Sequence, residues 1–197
     1  MKGAIWSTLF ICLFTLNSAL LHAQTHNYEI RFSNHVIGNV TAHCKVNGAS
    51  RNISIQSNVD MKLLAKFNLD ISCDFDNNIL IRSKVIKSSG KDADNKTIIT
   101  QREAKHYSIV QNGERSVLNT TEIVHSVGEM YFTEPRQITK IFSETLGIFL
   151  TLNPLGNGLY ELVLPEGKKN VYKYEKGTLV QVEVSQTLGK AYIIRVS

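Results

Sequence analysis

The reactive side chains after position 23 are five histidines (His26, His35, His43, His106 and His125), two cysteines (Cys44 and Cys73) and two small acidic clusters. Metal sites recruit His or Cys in pairs a few residues apart, and no two of these histidines stand at such a spacing. No nucleophile-elbow Gly-x-Ser-x-Gly, no His-Glu-x-x-His and no phosphate loop occurs. His43 beside Cys44 imitates a base next to a thiol, but neighbours on a strand point to opposite faces and cannot work as a dyad. Asp74-Phe75-Asp76-Asn77-Asn78 imitates the start of a calcium loop. That loop needs Gly at its sixth position and Glu at its twelfth; here those places hold Ile79 and Val85, and a hairpin turn accounts for the run better. Asp92, Asp94 and Asn95 read as ordinary solvated loop chemistry. No catalytic residue, metal or cofactor is expected, and a hydrolase would require a site assembled in space from His43, His106 or His125.

The elements around these residues are strands. Tyr28, Ile30 and Phe32 alternate, as do Val40, Ala42, Cys44 and Val46, then Ile53, Ile55 and Val59. Phe67, Leu69, Ile71, Cys73 and Phe75 are the cleanest case, followed by Ile79, Ile81 and Val85. A period of two marks half-buried antiparallel strands. Both cysteines lie in the apolar frame, on the second and fourth strands of a meander. Two strand spacings are roughly 9.6 Å, beyond the ~7 Å reach of a disulfide, so both are expected as free thiols. At Asp76 the hydrophobic register favours a three-residue loop that sets Phe75 opposite Ile79, Cys73 opposite Ile81 and Asp70 opposite Lys84. Ser88–Lys96 reads as a polar loop. Further strand patterns follow from 97 to 118 and from Phe149 to Val196. Between them Pro135, Ile138, Ile141 and Phe142, closed by Gly147, predict one short helix near 135–145. The fold class is mainly β: a single strongly curved antiparallel sheet or barrel-like meander of about ten to twelve strands, with a two-sheet sandwich as the alternative.

Residues 1–23 carry an export signal: Met1-Lys2, an apolar run from Ala4 to Leu16, then Leu21-His22-Ala23 at the expected cut. Asn17, Ser18 and His22 interrupt the stretch, which argues against an uncleaved membrane anchor, and Cys12 stands too far from the cut for a lipoprotein. The expected product, 24–197, is a single β-rich domain and not an integral membrane protein. Loss of Lys2 takes the net charge from +5 to +4 and removes the only tryptophan, Trp6. Export discounts nucleic acid as a partner and makes a lipid or another envelope component the natural one, in the periplasm or cell envelope of a bacterium. Four Asn-x-Ser/Thr sites, at Asn39, Asn52, Asn95 and Asn119, matter only in a host that glycosylates.

The segment least explained by strands runs from Tyr131-Phe132-Thr133-Glu134-Pro135 to Phe142-Ser143-Glu144. It reads either as a plug for the core or as the wall of an apolar pocket. Val36-Ile37-Gly38-Asn39, Tyr131-Phe132-x-Glu134-Pro135, Phe142-Ser143-Glu144 and a last third running from Tyr160-Glu161-Leu162 through Pro165, Gly167-Lys168, Asn170, Tyr172, Tyr174-Glu175, Gly177 and Leu179-Val180 resemble a family of small exported bacterial envelope proteins known as a domain of unknown function. The resemblance implies a β-rich exported domain and supplies no site residues. A fainter likeness, of architecture alone, is to the half-barrel carriers that shuttle lipoproteins across the periplasm. The expected function is non-catalytic binding of an apolar or amphiphilic, lipid-like ligand inside the sheet, with Phe67, Leu69, Ile71, Tyr131, Phe132 and Phe142 as candidate lining. The alternative is a structural module that docks a partner protein through a sheet edge or basic face.

Overall fold

The computed structural model describes residues 22–60, 66–89, 95–186 and 189–196. Of the expected export signal only His22 and Ala23 fall among them, at the start of the first strand; its remainder, and residues 90–94 of the expected loop, lie outside the described residues. The strands are β1 (His22–Phe32), β2 (His35–Asn47), β3 (Ser50–Asp60), β4 (Lys66–Asp76), β5 (Ile79–Ser89), β6 (Lys96–Arg102), β7 (Tyr107–Gln111) and β8 (Glu114–Leu118). After a long connection come β9 (Lys140–Ser143), β10 (Ile148–Gly156), β11 (Leu159–Val163), β12 (Lys169–Glu175), β13 (Thr178–Gln186) and β14 (Gly189–Arg195). They form one antiparallel sheet in the order β8-β7-β6-β5-β4-β3-β2-β1-β14-β13-β12-β11-β10-β9. Two meanders are thus joined where β1 pairs with β14, and the sheet is not closed, since β8 and β9 remain its edges. Among the described residues no helix is long and apolar enough to cross a membrane.

The period-two frames hold in β2, β3 and β4, whereas in β5 Leu80, Ser83 and Val85 are buried rather than Ile79, Ile81 and Val85. Ile53, Ile55, Ser57 and Val59 of β3 face inward, as do Ile71, Cys73 and Phe75 of β4, and these rows form the core. Cys44 pairs with Ile53 and Ile53 with Cys73, so the two thiols stand two strands apart, and both are free and buried.

Three expectations are corrected. The sheet has 14 strands rather than ten to twelve, and it is one sheet, not a sandwich. No helix spans 135–145. Gln137 takes a left-handed φ of 60°, which ends any helical path, and the chain then extends into β9. Ile141, Phe142 and Ser143 are buried in succession, so the burial of β9 does not alternate, and the long connection from β8 covers its free edge, where Ser126 bridges to Phe142. The resulting apolar spacing imitates a helix. At Asp76 the turn has two residues, Asn77 and Asn78, both at positive φ (49° and 63°), the mark of a type I′ hairpin. A bulge between Asp74 and Phe75 then restores the frame, setting Cys73 against Ser83 and Lys84 against Ser72, so Asp70 and Lys84 do not pair.

The connection from β8 to β9 crosses the concave face. Ile123 accepts from the Leu80 N–H (2.9 Å) and Ser126 makes a parallel bridge to Phe142. A 3-10 turn follows at Val127–Tyr131. Buried phenols clip this segment to the sheet. Tyr107 Oη donates to Leu80 O (2.7 Å) and accepts from the Ile123 N–H (3.1 Å), and Tyr174 Oη donates to Met130 O (2.6 Å). Fully burying Ile123 and Met130 contributes about 1.5–3 kcal/mol each. The crossing segment therefore fills the middle of the curved sheet.

Candidate functional site

The inner face is apolar in its middle rows and basic at both ends. The row Ile55–Ile71–Val85–Ile98 across β3 to β6 is buried. One row nearer Asp60 and Lys66, Leu69 pairs with Ser57 on one side and Lys87 on the other, and Lys87 pairs directly with Lys96. The same two-residue frame that buries Val85 and Ile98 turns both lysines to the inner face. Phe67, 43 % exposed, lies one row further out, between Val59 and Ser89. Phe67, Asn68, Leu69, Lys87, Ser88 and Ser89 line a shallow trough of about 320 Å³. Lys87 is half-buried, and burial together with the nearby Lys96 charge holds its ammonium below the usual lysine range. Like charges set directly opposite on a sheet destabilise it. Among the described residues neither lysine has a carboxylate partner, whereas Lys66, Lys168, Lys169 and Lys190 at the same end pair with Asp60, Glu166, Glu161 and Glu183.

At the opposite end, Arg51 of β3 faces inward beside Phe75, its guanidinium 4.5 Å from the ring centroid. Here the crossing segment supplies the counter-charge, since Arg51 Nη2 pairs with Glu129 Oε1. Glu129 Oε2 accepts the Ser126 N–H (2.8 Å). Burial drives the Glu129 carboxyl up to about 7, against the opposing pull of Arg51. Glu144, in the β9–β10 turn, is 1 % exposed and accepts from the Gly128 N–H (3.0 Å) and the Cys73 thiol (3.3 Å). Burial raises its carboxyl too, and burial pushes both thiols upward, leaving them poor nucleophiles. Two clefts flank the Arg51–Glu129 pair. One, of about 270 Å³, is lined by Val124, His125, Pro135, Ile138 and Ile141 along with the pair. The other, of about 160 Å³, is lined by His22, Gln24, Cys44, Val46 and Phe132 along with the pair.

The six candidate lining residues do not share one site. Phe67 and Leu69 form the trough, and Ile71 is in the buried row behind it. Tyr131 packs edge-on against Tyr28 (5.4 Å between centroids), and Phe132 lies 5.1 Å from His26. Phe142 is enclosed in the core against Phe149 at 5.7 Å. His43 is exposed and bonded to Thr25 (2.9 Å) while Cys44 is buried, so they diverge as the strand geometry requires. His106 is paired with Glu103 (2.8 Å) outside the clefts described above. His125 shares the larger cleft with Ser126 and Glu129, but His125 is exposed where Ser126 is fully buried, so the two side chains leave the chain on opposite sides. Among the described residues no group of three or more His, Cys, Asp or Glu is placed to hold a metal. The sequence reading missed Lys87, Lys96 and Arg51, although each falls in the apolar frame of its own strand. Glu129 and Glu144 gave no such signal, because what buries them comes from elsewhere in the chain.

No curated protein matches the chain. Among solved structures, a crystal structure of a beta-barrel-like protein of the domain of unknown function DUF1849 from Brucella abortus is similar at 9 % identity and a TM-score of 0.49, covering 90 % of this chain and 96 % of that one. The family model for the domain of unknown function DUF6134 matches residues 28–196, nearly the whole described sheet, and the chain belongs to that family.

Proposed function

We propose that this is a non-catalytic binding protein of the bacterial cell envelope whose ligand is an amphiphile with an anionic head. The observation that carries the reading is the Lys87–Lys96 pair, directly opposite each other on β5 and β6 beside the trough of Phe67 and Leu69, with no carboxylate partner among the described residues. At the other end of the same face the chain provides Glu129 for Arg51. An anion at the lysine pair relieves their repulsion, and an apolar tail covers Phe67 and Leu69. The crossing segment occupies the centre of the sheet, so the ligand lies at the end of the inner face rather than deep within it. The export signal read from residues 1–23 supports an envelope location.

A second reading, docking of a partner protein, is favoured by β8, an edge strand whose residues Glu114, Arg115, Ser116 and Val117 are all exposed. Purification from the native host, solvent extraction and mass spectrometry separate the two. The first reading expects close to one anionic amphiphile per chain. A ligand-free protein that cross-links through β8 to a second protein overturns it.

A further inference from the structure

The geometry points to a second binding site, at the end of the inner face opposite the lysine pair: the cleft between the crossing segment and β3 receives a small carboxylate with a short apolar tail, which replaces Glu129 on Arg51 while Glu129 takes up a proton. The site is independent of the trough and of the reading given above.

The cleft has two chemically distinct ends. Val124, Pro135, Ile138 and Ile141 form an apolar wall, and Arg51 and Glu129 form the polar end. The guanidinium lies over the Phe75 ring, 4.5 Å from its centroid. A guanidinium offers five N–H donors in a rigid fork matched to a carboxylate. Glu129 engages Nη2, but the buried Nε has no acceptor among the described residues. A buried donor without a partner calls for a water or a ligand oxygen. An incoming carboxylate that spans Nε and Nη2 satisfies both.

Charge balance requires the proton. As it stands, the cleft holds one cation and one anion, both partly buried. A further anion would leave an uncompensated charge in a partly desolvated space, which is strongly unfavourable. If Glu129 is protonated as the ligand enters, the cleft still holds one cation and one anion. Neutral Glu129 keeps the Ser126 N–H on Oε2 and releases Oε1 from Arg51.

The groups facing Glu129 leave it as the proton acceptor. Arg51 comes from β3, Cys44 from β2, Cys73 from β4 and Glu144 from the β9–β10 turn; His125 and the Ser126 N–H come from its own segment, while His22, at the start of β1, lines the smaller cleft and is absent from residues 24–197. Burial and Arg51 hold His125 below its usual range, so it is neutral above pH 7. Both thiols are pushed upward and stay uncharged. Glu144 is also raised, but it is fully enclosed and does not line the cleft. Glu129, with its carboxyl at about 7, exchanges a proton with little driving force either way near neutral pH.

The test is calorimetric titration of residues 24–197 with hexanoate, in HEPES and in Tris, at pH 6.5, 7.5 and 8.5. Binding is expected with uptake of close to one proton at pH 8.5, read from the difference between the two buffers. The affinity should fall about tenfold between pH 7.5 and 8.5, as linkage to one proton requires. Methyl NMR should show shifts at Val124, Ile138 and Ile141, and Glu129→Gln should bind with neither the pH dependence nor the proton uptake. Binding without proton uptake, shifts confined to Leu69 and its neighbours in the trough, or no binding at pH 6.5 would each overturn the proposal. The wild-type measurements do not depend on whether a variant folds.

Discussion

Replacing Glu129 by Gln should change how the protein's stability responds to pH, and the sign follows from burial. The folded carboxyl lies at about 7 against an ordinary value of 4.5. It therefore holds its proton more tightly in the folded than in the unfolded chain. Stability from this group is complete below about pH 4.5, falls as pH rises, and has gone by about pH 7. The rise of about 2.5 units, at 1.36 kcal/mol per unit, corresponds to roughly 3 kcal/mol between those limits. For a chain of this length that is a melting shift of roughly 6–12 °C. Glu144 acts in the same direction, so the informative quantity is a difference of differences. The wild-type change in melting temperature from pH 5 to pH 8, minus the same change in Glu129→Gln, isolates residue 129 and cancels any pH-independent effect of the amide. Thermal melts followed by circular dichroism supply it. Parallel curves would refute the reasoning, as would a wild type that gains more stability than Glu129→Gln between pH 5 and 8. The second result would mean that the Arg51 ion pair outweighs the cost of burying the carboxylate.

Other consequences can be measured on the same preparation. Tyr107→Phe strips two hydrogen bonds from a fully buried hydroxyl and leaves the Ile123 N–H without its acceptor; urea titration should show a loss of about 2–3 kcal/mol, with amide exchange speeding first around Ile123. At Gly38 an added Cβ would overlap the Asn58 backbone oxygen across β2 and β3, so Gly38→Ala should leave no soluble folded protein, as expression and gel filtration will show. Lys96→Thr removes one member of the like-charged pair and should raise stability by about 0.5 kcal/mol in low salt, with a smaller gain at high salt. Cys44 and Cys73 should both titrate with a thiol reagent in denaturant and resist it in the native state, since both are buried and free.

Much of the fold is legible in the sequence because a half-buried antiparallel strand writes its burial as alternation. The frames through Tyr28, Val40, Ile53 and Ile71 place the inner face correctly, and the separation of Cys44 from Cys73 follows from strand count alone. Alternation fails where successive residues of a strand are all buried, and so Ile141-Phe142-Ser143 imitates a helix. It also fails where one extra residue is absorbed: the bulge that follows the Asn77-Asn78 turn re-aims Ser83 and Val85, and nothing local announces it. The candidate sites divide in the same way. Lys87, Lys96 and Arg51 sit in the apolar frames of their strands, and that frame is a usable signal for a charged group facing inward. Glu129 and Glu144 come from a segment with no period. Their burial and their partners depend on how residues 119–139 lie across strands far away in the chain.

The proposed function stands or falls with binding of an anionic amphiphile in the trough of Phe67 and Leu69 through Lys87 and Lys96. Titrating residues 24–197 with laurate below its micelle concentration, in low and in high salt, measures this most directly, with amide and methyl NMR as the readout. Binding in the trough predicts saturable shifts at Leu69, Lys87 and Ser88. It also predicts an affinity lowered about tenfold, or roughly 1.4 kcal/mol, in the double variant Lys87→Ala, Lys96→Ala, and a marked loss in high salt. Laurate binding that is indifferent to both lysines and to salt, or an absence of saturable shifts in the trough, would contradict it.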